Sequence, residues 1–434
     1  MSSSMSSPRT CTSAMALVAA LWLTACGRSL LAQGYERYAI GDRTTKAWLA
    51  IAAGGAQQLW VATDGSLIAW NLGDQGNDGF DRDDTMSEGM WAERTGLHRQ
   101  NVAWIDPLTH AAIGKARGWP VSHRPWPAPY VSTQNAKRYL LHRPGQAAVA
   151  LAEPGGDWAF TGGFEVEDGV GVLVLRKVDY RDAPQATEAL FVRFRFADGA
   201  ILATNRFVVG RLTPQKFRAP LTTLTADRRR ILLAWTFDDR PAGEVIAVDT
   251  GSLAIAWRRE VEAVDRRGYM PIDQPAILLA NGGSQNLTTV FVGEDKYARG
   301  LQPNSLYTLD ANGEIVFQHH HLVTAPEPFG RYSSIRALFV TGDTTVTVVN
   351  EVNSRDFERS SAQLVHVDML TGAQAPRRWR PPGPFIAERV WMSAWAWDAQ
   401  RRGFWAVPWA LGGATRDLGL APLPPHLAKA LGRP

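Results

Sequence analysis

Six stretches of this 434-residue chain repeat one short pattern, and that pattern limits the fold more than anything else in it. Each is an apolar run, a turn built on Asp and usually Gly, and a second run. The clearest copies are Val245–Trp257, Leu306–Phe317 and Leu364–Gly372; weaker ones are Leu59–Trp70, Val102–Thr109 and Val192–Leu202. In such a turn the Asp side chain accepts hydrogen bonds from its own backbone, Gly supplies positive φ, and the flanking alternation turns one face toward a core. The marker aspartates are Asp64, Asp106, Asp198, Asp249, Asp310 and Asp368. The widest interval, between Asp106 and Asp198, holds a degenerate copy around Gln146–Phe160. From about residue 36 to 412 the chain reads as strands, with no amphipathic helical stretch of useful length. A short helix, Pro425–Leu431, is expected at the end.

A hairpin pair cannot bury its apolar faces alone, so units of this kind stack on one another. The expected fold class is all-β: a seven-bladed β-propeller of four-stranded antiparallel blades, with eight blades as the alternative. Glu36–Ala53, with Trp48, Leu49 and Ile51, is expected to lend a strand to the last blade and latch the ring. The hairpins resemble the quinoprotein-type (PQQ-like) propeller repeat, whose strand–Asp–x–x–Gly–strand–Trp pattern is matched best at Val245–Trp257. Trp257 falls six residues after Gly251, later than in that family, and most copies lack the Trp.

The amino-terminal segment has the anatomy of a secretory leader. Arg9 precedes the apolar run Ala14–Leu23, and small residues follow. The run is too short to span a bilayer. Leu23-Thr24-Ala25-Cys26 resembles the lipobox of bacterial lipoproteins. The resemblance implies cleavage before Cys26, acylation there with palmitate-type chains, and an exported, tethered domain. Gly27 and Arg28 follow without Asp, which resembles lipoproteins sorted to the outer membrane. The expected organisation is a signal peptide over 1–25, a tether over 26–35, the propeller over 36–412 and a tail over 413–434. Cys11 leaves with the leader and Cys26 is acylated, so the mature domain has no thiol chemistry and no disulfide, and packing must hold it together.

A formal net charge of +4 on a chain this long, with no basic block beyond Arg228-Arg229-Arg230 and Arg377-Arg378-Trp379-Arg380, argues against nucleic acid as a partner. The densest set of hard oxygen ligands is the loop 74–85, with Asp74, Asp78, Asp81, Asp83 and Asp84. Set on a calcium loop with Gly79 at the sixth position, Asp74 and Asp78 fall on ligand positions while Gly76 and Thr85 do not. No cofactor is otherwise expected. His319 and His321 would share one face of a strand and could grip a metal. Glu165 and Glu167 likewise alternate. Trp119 and Trp126, in a proline-rich segment read as a stiff surface loop, and Trp395 and Trp397, two apart on a strand, are candidate contacts for a partner or glycan, with packing between blades as the other reading.

GxSxG, HExxH and P-loop motifs are absent from the sequence. The expected function is that of a membrane-anchored envelope propeller that serves as a protein-binding scaffold on the periplasmic side of the outer membrane, and not an enzyme. A glycan or cell-wall binding module and a quinone- and calcium-dependent oxidoreductase are the rival readings.

Overall fold

The computed structural model describes residues 38–39, 46–49, 58–70, 101–107, 112–134, 138–151, 158–177, 186–211, 221–237, 242–262, 275–294, 304–320, 332–353, 360–379 and 392–408. These residues form strands and turns, with no helix among them. The amino-terminal strands are β1 (Tyr38–Ala39) and β2 (Lys46–Leu49). Sheet one is β3 (Gln58–Val61), β4 (Leu67–Trp70), β5 (Asn101–Ile105) and β6 (Ala112–Arg117). Sheet two is β7 (Trp119–Pro120), β8 (Tyr130–Gln134), β9 (Arg138–His142) and β10 (Val149–Ala150). Sheet three is β11 (Trp158–Glu167), β12 (Val170–Lys177), β13 (Ala186–Arg195) and β14 (Ile201–Arg211). Sheet four is β15 (Leu221–Leu224), β16 (Arg230–Thr236), β17 (Ala242–Asp249) and β18 (Ile255–Glu262). Sheet five is β19 (Pro275–Gly282), β20 (Leu287–Glu294), β21 (Asn304–Leu309) and β22 (Ile315–His320). Sheet six is β23 (Tyr332–Val340), β24 (Thr345–Asn353), β25 (Ser360–Asp368) and β26 (Gln374–Trp379).

The seventh sheet joins the two ends of the chain. β27 (Met392–Asp398) and β28 (Gly403–Pro408) pair with β2 and β1, in the order β1-β2-β28-β27. The expected latch is therefore present, with Trp48 opposite Trp405 and Leu49 opposite Ala406 in the ladder. One detail departs from the expectation: β2 runs parallel to β28, so this sheet is mixed while the other six are antiparallel.

First strands of neighbouring sheets touch, β11 with β15, β15 with β19, β19 with β23, β23 with β27 and β27 with β3, so they stand around the centre and the ring closes on itself. The result is a β-propeller. Each interface between sheets has its own apolar layer. Leu59, Leu67 and Ala69 of sheet one meet Ala396, Trp405 and Val407 of sheet seven. Val172, Val174 and Phe191 of sheet three meet Ile231, Leu233 and Ile246 of sheet four. Sheets four and five meet at Val245, Ile277 and Val290, and sheets five and six at Leu278, Phe291, Val346 and Val367. Sheets six and seven meet through Phe339 and Phe404, whose ring centroids are 5.8 Å apart.

This geometry explains the strand sequences. A middle strand lies between two neighbours and is buried on both faces, so β16 is apolar without alternation, from Ile231 to Trp235. An outer strand has one wet face, and β18 alternates. Each fully buried Val, Leu, Ile or Phe contributes about 1.5–3 kcal/mol. Close to the axis there is little room. A Cβ on Gly162 of β11 would strike Thr222 of sheet four, and one on Gly163 would strike Val121 of sheet two.

The Asp turns sit where the pattern puts them, but at two different places in a sheet. Asp106, Asp198, Asp249, Asp310 and Asp368 end third strands or open the turn to the fourth; Asp64 lies between the first and second strands of sheet one. Asp310 accepts from the backbone N–H of Asn312 at 2.8 Å and of Glu314 at 2.9 Å, and Gly313 takes φ 79°. At Asp249 the left-handed position is held by Leu253, φ 58°, and not by Gly251. The degenerate copy is also displaced. The third-to-fourth turn of sheet two is at Arg143–Gln146, with Gly145 at φ 65°, whereas Phe160 already belongs to sheet three. Asp249 and Asp368 titrate below the usual carboxylate range, the first through the Ser252 N–H and the second through the Thr371 hydroxyl.

Closure is reinforced at the turn of sheet seven. Asp398, 0% exposed, accepts from the Arg401 backbone N–H at 2.9 Å, the Arg401 guanidinium at 2.6 Å and the Trp405 indole at 3.1 Å. Held in this way, Arg401 donates to the Gly65 carbonyl of sheet one at 3.1 Å, and Gln400 donates to that of Thr63 at 3.0 Å. Removing the acid leaves the buried Trp405 indole, the Arg401 N–H and the half-buried Arg401 guanidinium without their acceptor, so Asp398→Ala is expected to cost about 3–5 kcal/mol. Arg401→Ala is expected to cost less, since the Asp398 carboxylate keeps the residue-401 backbone N–H and the Trp405 indole as donors. Urea unfolding of both variants checks the order; equal losses, or none for Asp398→Ala, would contradict this account of closure.

Candidate functional site

Strands reverse direction at each step, so first-to-second and third-to-fourth turns share one end of the ring, here called the turn face. Six of the seven inner turns on that face are short. Sheet two differs: residues 121–129 separate β7 from β8, and they carry His123, Arg124 and Trp126.

This connection leans on sheet one. The Thr63 N–H donates to the His123 carbonyl at 2.9 Å, and the Trp104 indole donates to the Arg124 carbonyl at 3.2 Å. The His123 ring stacks on Trp60, with centroids 4.5 Å apart and planes at 19°, and its Nδ1 lies 3.4 Å from the Val61 carbonyl. Arg124 reaches the other way, to sheet three. Its Nε donates to Glu165 Oε2 at 2.7 Å, and its terminal nitrogen reaches Glu165 Oε1 and, at 2.5 Å, Asp168. The two carboxylates hold the guanidinium charged, well above its ordinary range, Glu165 foremost.

His123 is exposed to solvent, with its ring lying against Trp60. Loss of water on the packed side lowers its pKa from 6.5; the Val61 carbonyl opposes the shift, and the Arg228 guanidinium of sheet four adds to it. Arg228 sits in the inner turn of sheet four with φ 59°, its N–H donating to Thr225 O at 2.8 Å and its carbonyl accepting from Thr250 Oγ1 at 3.0 Å. The inner turns of sheets two and four thus both lie on the turn face, one carrying an imidazole and the other a guanidinium. Neither residue stands in a recognisable motif; the one signal in the sequence is the unusual length of the proline-rich connection.

The sites expected from sequence fall out differently. Cys26, Asp74, Asp78, Asp81, Asp83, Asp84 and His321 lie outside the described residues. Trp119 is not displayed on a surface loop. It is 1% exposed and stacks on Phe160 of sheet three with centroids 4.7 Å apart, because its strand is sandwiched between sheets. Trp126 is half-buried over Gly114 and packs on Trp104, with centroids 4.9 Å apart. Trp395 is buried, and Trp397 packs on Phe404 at 4.8 Å. Trp119 and Trp395 are thus packed between sheets, while Trp126 and Trp397 are half-buried.

His319 lies against Phe317 and bonds Gln374 at 2.8 Å, and His320 bonds Ser305 at 2.8 Å. No group of three metal-ligating side chains occurs among the described residues. Glu165 and Glu167 are split by a bulge in β11 and serve different arginines, Glu167 pairing with Arg193 at 2.6 Å. Ser132–His142, at 2.7 Å, has the look of a nucleophile and base. The same cross-strand arrangement recurs at Ser305–His320 and Thr347–His366, which marks it as a way of satisfying hydroxyls within a sheet.

Two predictions follow from this geometry. His123 should titrate below 6.5 by NMR, and Arg228→Gly should raise its pKa; an unchanged midpoint in the variant would separate the two groups. The native state then binds fewer protons than the unfolded chain as pH falls below 6.5, so the contribution of His123 to stability is complete above that value and declines beneath it. Trp119→Ala should destabilise the ring by about 3–5 kcal/mol, measured by denaturant unfolding, as expected for a core aromatic and not for a contact residue.

No family model and no curated protein sequence matches the chain. Among solved structures it is similar to Kuenenia stuttgartiensis hydrazine synthase, with 9% identity over 81% of this chain and 92% of the other and a TM-score of 0.46. A virginiamycin B lyase from Staphylococcus aureus shares 12% identity, covering 82% and 92%, with a TM-score of 0.40. The β-propeller domain of the Trilobed protease from Pyrococcus furiosus shares 11%, covering 80% and 87%, with a TM-score of 0.39. Similarity at this level carries no information on activity, and the fold assignment rests on the strand pairing.

Proposed function

We propose that this chain is an exported lipoprotein whose β-propeller is tethered by Cys26 to the outer membrane, on its periplasmic side, and acts there as a protein-binding scaffold. The reading rests on one observation: the apolar leader ending in Leu23-Thr24-Ala25-Cys26, ahead of a domain made of strands. Three acyl chains on such a cysteine would hold a protein firmly, at about 0.8 kcal/mol per buried methylene. A closed ring offers a partner a rigid surface with little ordering cost on binding. Burial of Trp119 and Trp395 weakens the case for a glycan-binding module built on displayed indoles. Membership of the hairpins in the quinoprotein-type repeat is part of the same proposal. It draws support from Trp257, whose indole donates to Ala311 O at 3.0 Å and covers Gly313 in the Asp turn of the next sheet.

Metabolic labelling with a palmitate analogue tests the anchor. The wild-type chain should take up label and fractionate with outer membranes, whereas Cys26→Ser should remain an unlabelled precursor with its leader intact. Crosslinking in the intact envelope, followed by mass spectrometry, tests the partner. A discrete envelope protein should be recovered with the wild type and lost with Cys26→Ser; label on both forms, or a wild type that crosslinks to nothing, would overturn the proposal.

A further inference from the structure

We propose that Asn312 is a site of spontaneous deamidation, and that the isoaspartate formed there unlocks the outer clasp between sheets four and five. The inference is independent of the anchor and of any protein partner.

Its first ground is how the side chain is held. Asn–Gly occurs twice in the sequence, at Asn281-Gly282 and Asn312-Gly313. Glycine has no Cβ to shield its own nitrogen, so an Asn before it is the most open to attack by that nitrogen. Asn281 lies in β19. Its Oδ1 accepts from the Ala226 N–H at 2.7 Å, and its Nδ2 donates to Thr288 Oγ1 at 2.9 Å and to Asn286 O at 3.3 Å. Asn312 is exposed in the turn between β21 and β22, and its carboxamide has no hydrogen-bond partner among the described residues. The Gly313 nitrogen is tied by its N–H to Asp310 O at 3.1 Å, longer than the bonds of 2.8 Å and 2.9 Å that the Asp310 carboxylate makes with Asn312 and Glu314.

When that bond opens, the Gly313 nitrogen attacks Asn312 Cγ. The new N–C bond closes a five-membered imide and the Cγ–Nδ2 bond breaks. Nδ2 leaves as ammonia, taking the proton that the Gly313 nitrogen gives up. Water then opens the imide. Attack at Cγ leaves an aspartate; attack at the main-chain carbonyl leaves an isoaspartate, whose chain runs through Cγ. No oxidant or reductant takes part. The second ground is what rests on this turn. Trp257 of β18 donates to Ala311 O at 3.0 Å, and its ring lies 2.5 Å from where a Cβ on Gly313 would stand. Arg259 of β18 donates to Gly313 O at 2.7 Å and pairs with Glu314 at 2.8 Å. An isoaspartate adds a carbon to the main chain between Ala311 and Gly313, the two residues these bonds hold, and Gly313 cannot move aside without meeting the indole. It also sets a free carboxylate near Asp310 and Glu314, where like charges repel. The clasp must therefore open at Trp257, at Arg259 or at both.

The test ages the full chain in mildly alkaline buffer, where the backbone nitrogen gives up its proton more readily. Tryptic peptides are read by mass spectrometry with electron-transfer fragmentation, which tells isoaspartate from aspartate. Residue 312 should change from amide to acid, with isoaspartate among the products, at least tenfold faster than residue 281. Hydrogen exchange in the same samples should become at least tenfold faster at residues 257–259 and 313–317 than in fresh protein. Asn312→Gln, which would need a six-membered imide, should show neither the conversion nor the faster exchange; the side chain is exposed, so the variant keeps the fold. Equal conversion at residues 281 and 312, or an intact Asn312 in the folded chain once the guanidinium-unfolded chain has converted there, would overturn the modification. Conversion with unchanged exchange at residues 257–259, or equally faster exchange in aged Asn312→Gln, would overturn the unlocking of the clasp.

Discussion

Middle strands such as β12 and β16 are apolar on both faces, and a sheet built that way cannot be the last in a row. Val172, Ile231 and Ile246 face one neighbour while Ala234 and Val245 face the other, and each layer needs a sheet on its far side. An open stack would leave one apolar face in water at either end. Closing the stack into a ring removes both ends at once, which is why the contact between sheets one and seven matters as much as any other. The side chains of Leu59 and Ala103 on one side and Ala396 and Val407 on the other supply it, and the Asp398–Arg401 clasp adds direction to a contact that burial alone would leave free to slide.

Local chemistry was readable in the sequence, and distant pairing was readable only in outline. An Asp that bonds its own turn leaves a mark within four residues, so Asp198, Asp249, Asp310 and Asp368 could be placed before any coordinates. What the mark does not encode is which of two turns in a sheet it occupies, and Asp64 was grouped with the others although it lies between first and second strands. Sheet two has no Asp at its equivalent turn, only Pro144 and Gly145, and its copy was therefore set too far along the chain. The latch was visible as an apolar segment without a partner. Its parallel direction was not, because direction is decided by where residues 337 apart come to rest, as in the bond from Gln400 to Thr63.

Tryptophan was the least legible residue. Its size and amphipathic character suit both a binding surface and a packed interface, and in strands that lie between two sheets there is no polar alternation to tell the two apart. Trp119 and Trp395 went into layers, while the long connection that carries His123 and Arg124 has no motif because its partners come from different sheets. The anchor and the ring are legible separately, the first as a linear motif and the second as a repeat. Nothing in either specifies the ion pairs of the turn face, such as Arg124 with Glu165, which form only when turns of different sheets are brought to one end.

The parallel pairing of β2 with β28 also sets a timetable. β2 is made before the strands of the other six sheets and its ladder partner after them, so the seventh sheet cannot be completed until all six have been synthesised. Until then the outward faces of sheets one and six have nothing to rest on, and contacts of such long sequence separation form slowly. Until β28 is made, a nascent chain of this design is an incomplete stack with two sticky sides, and a holdase or rapid delivery to its destination would protect it through that interval.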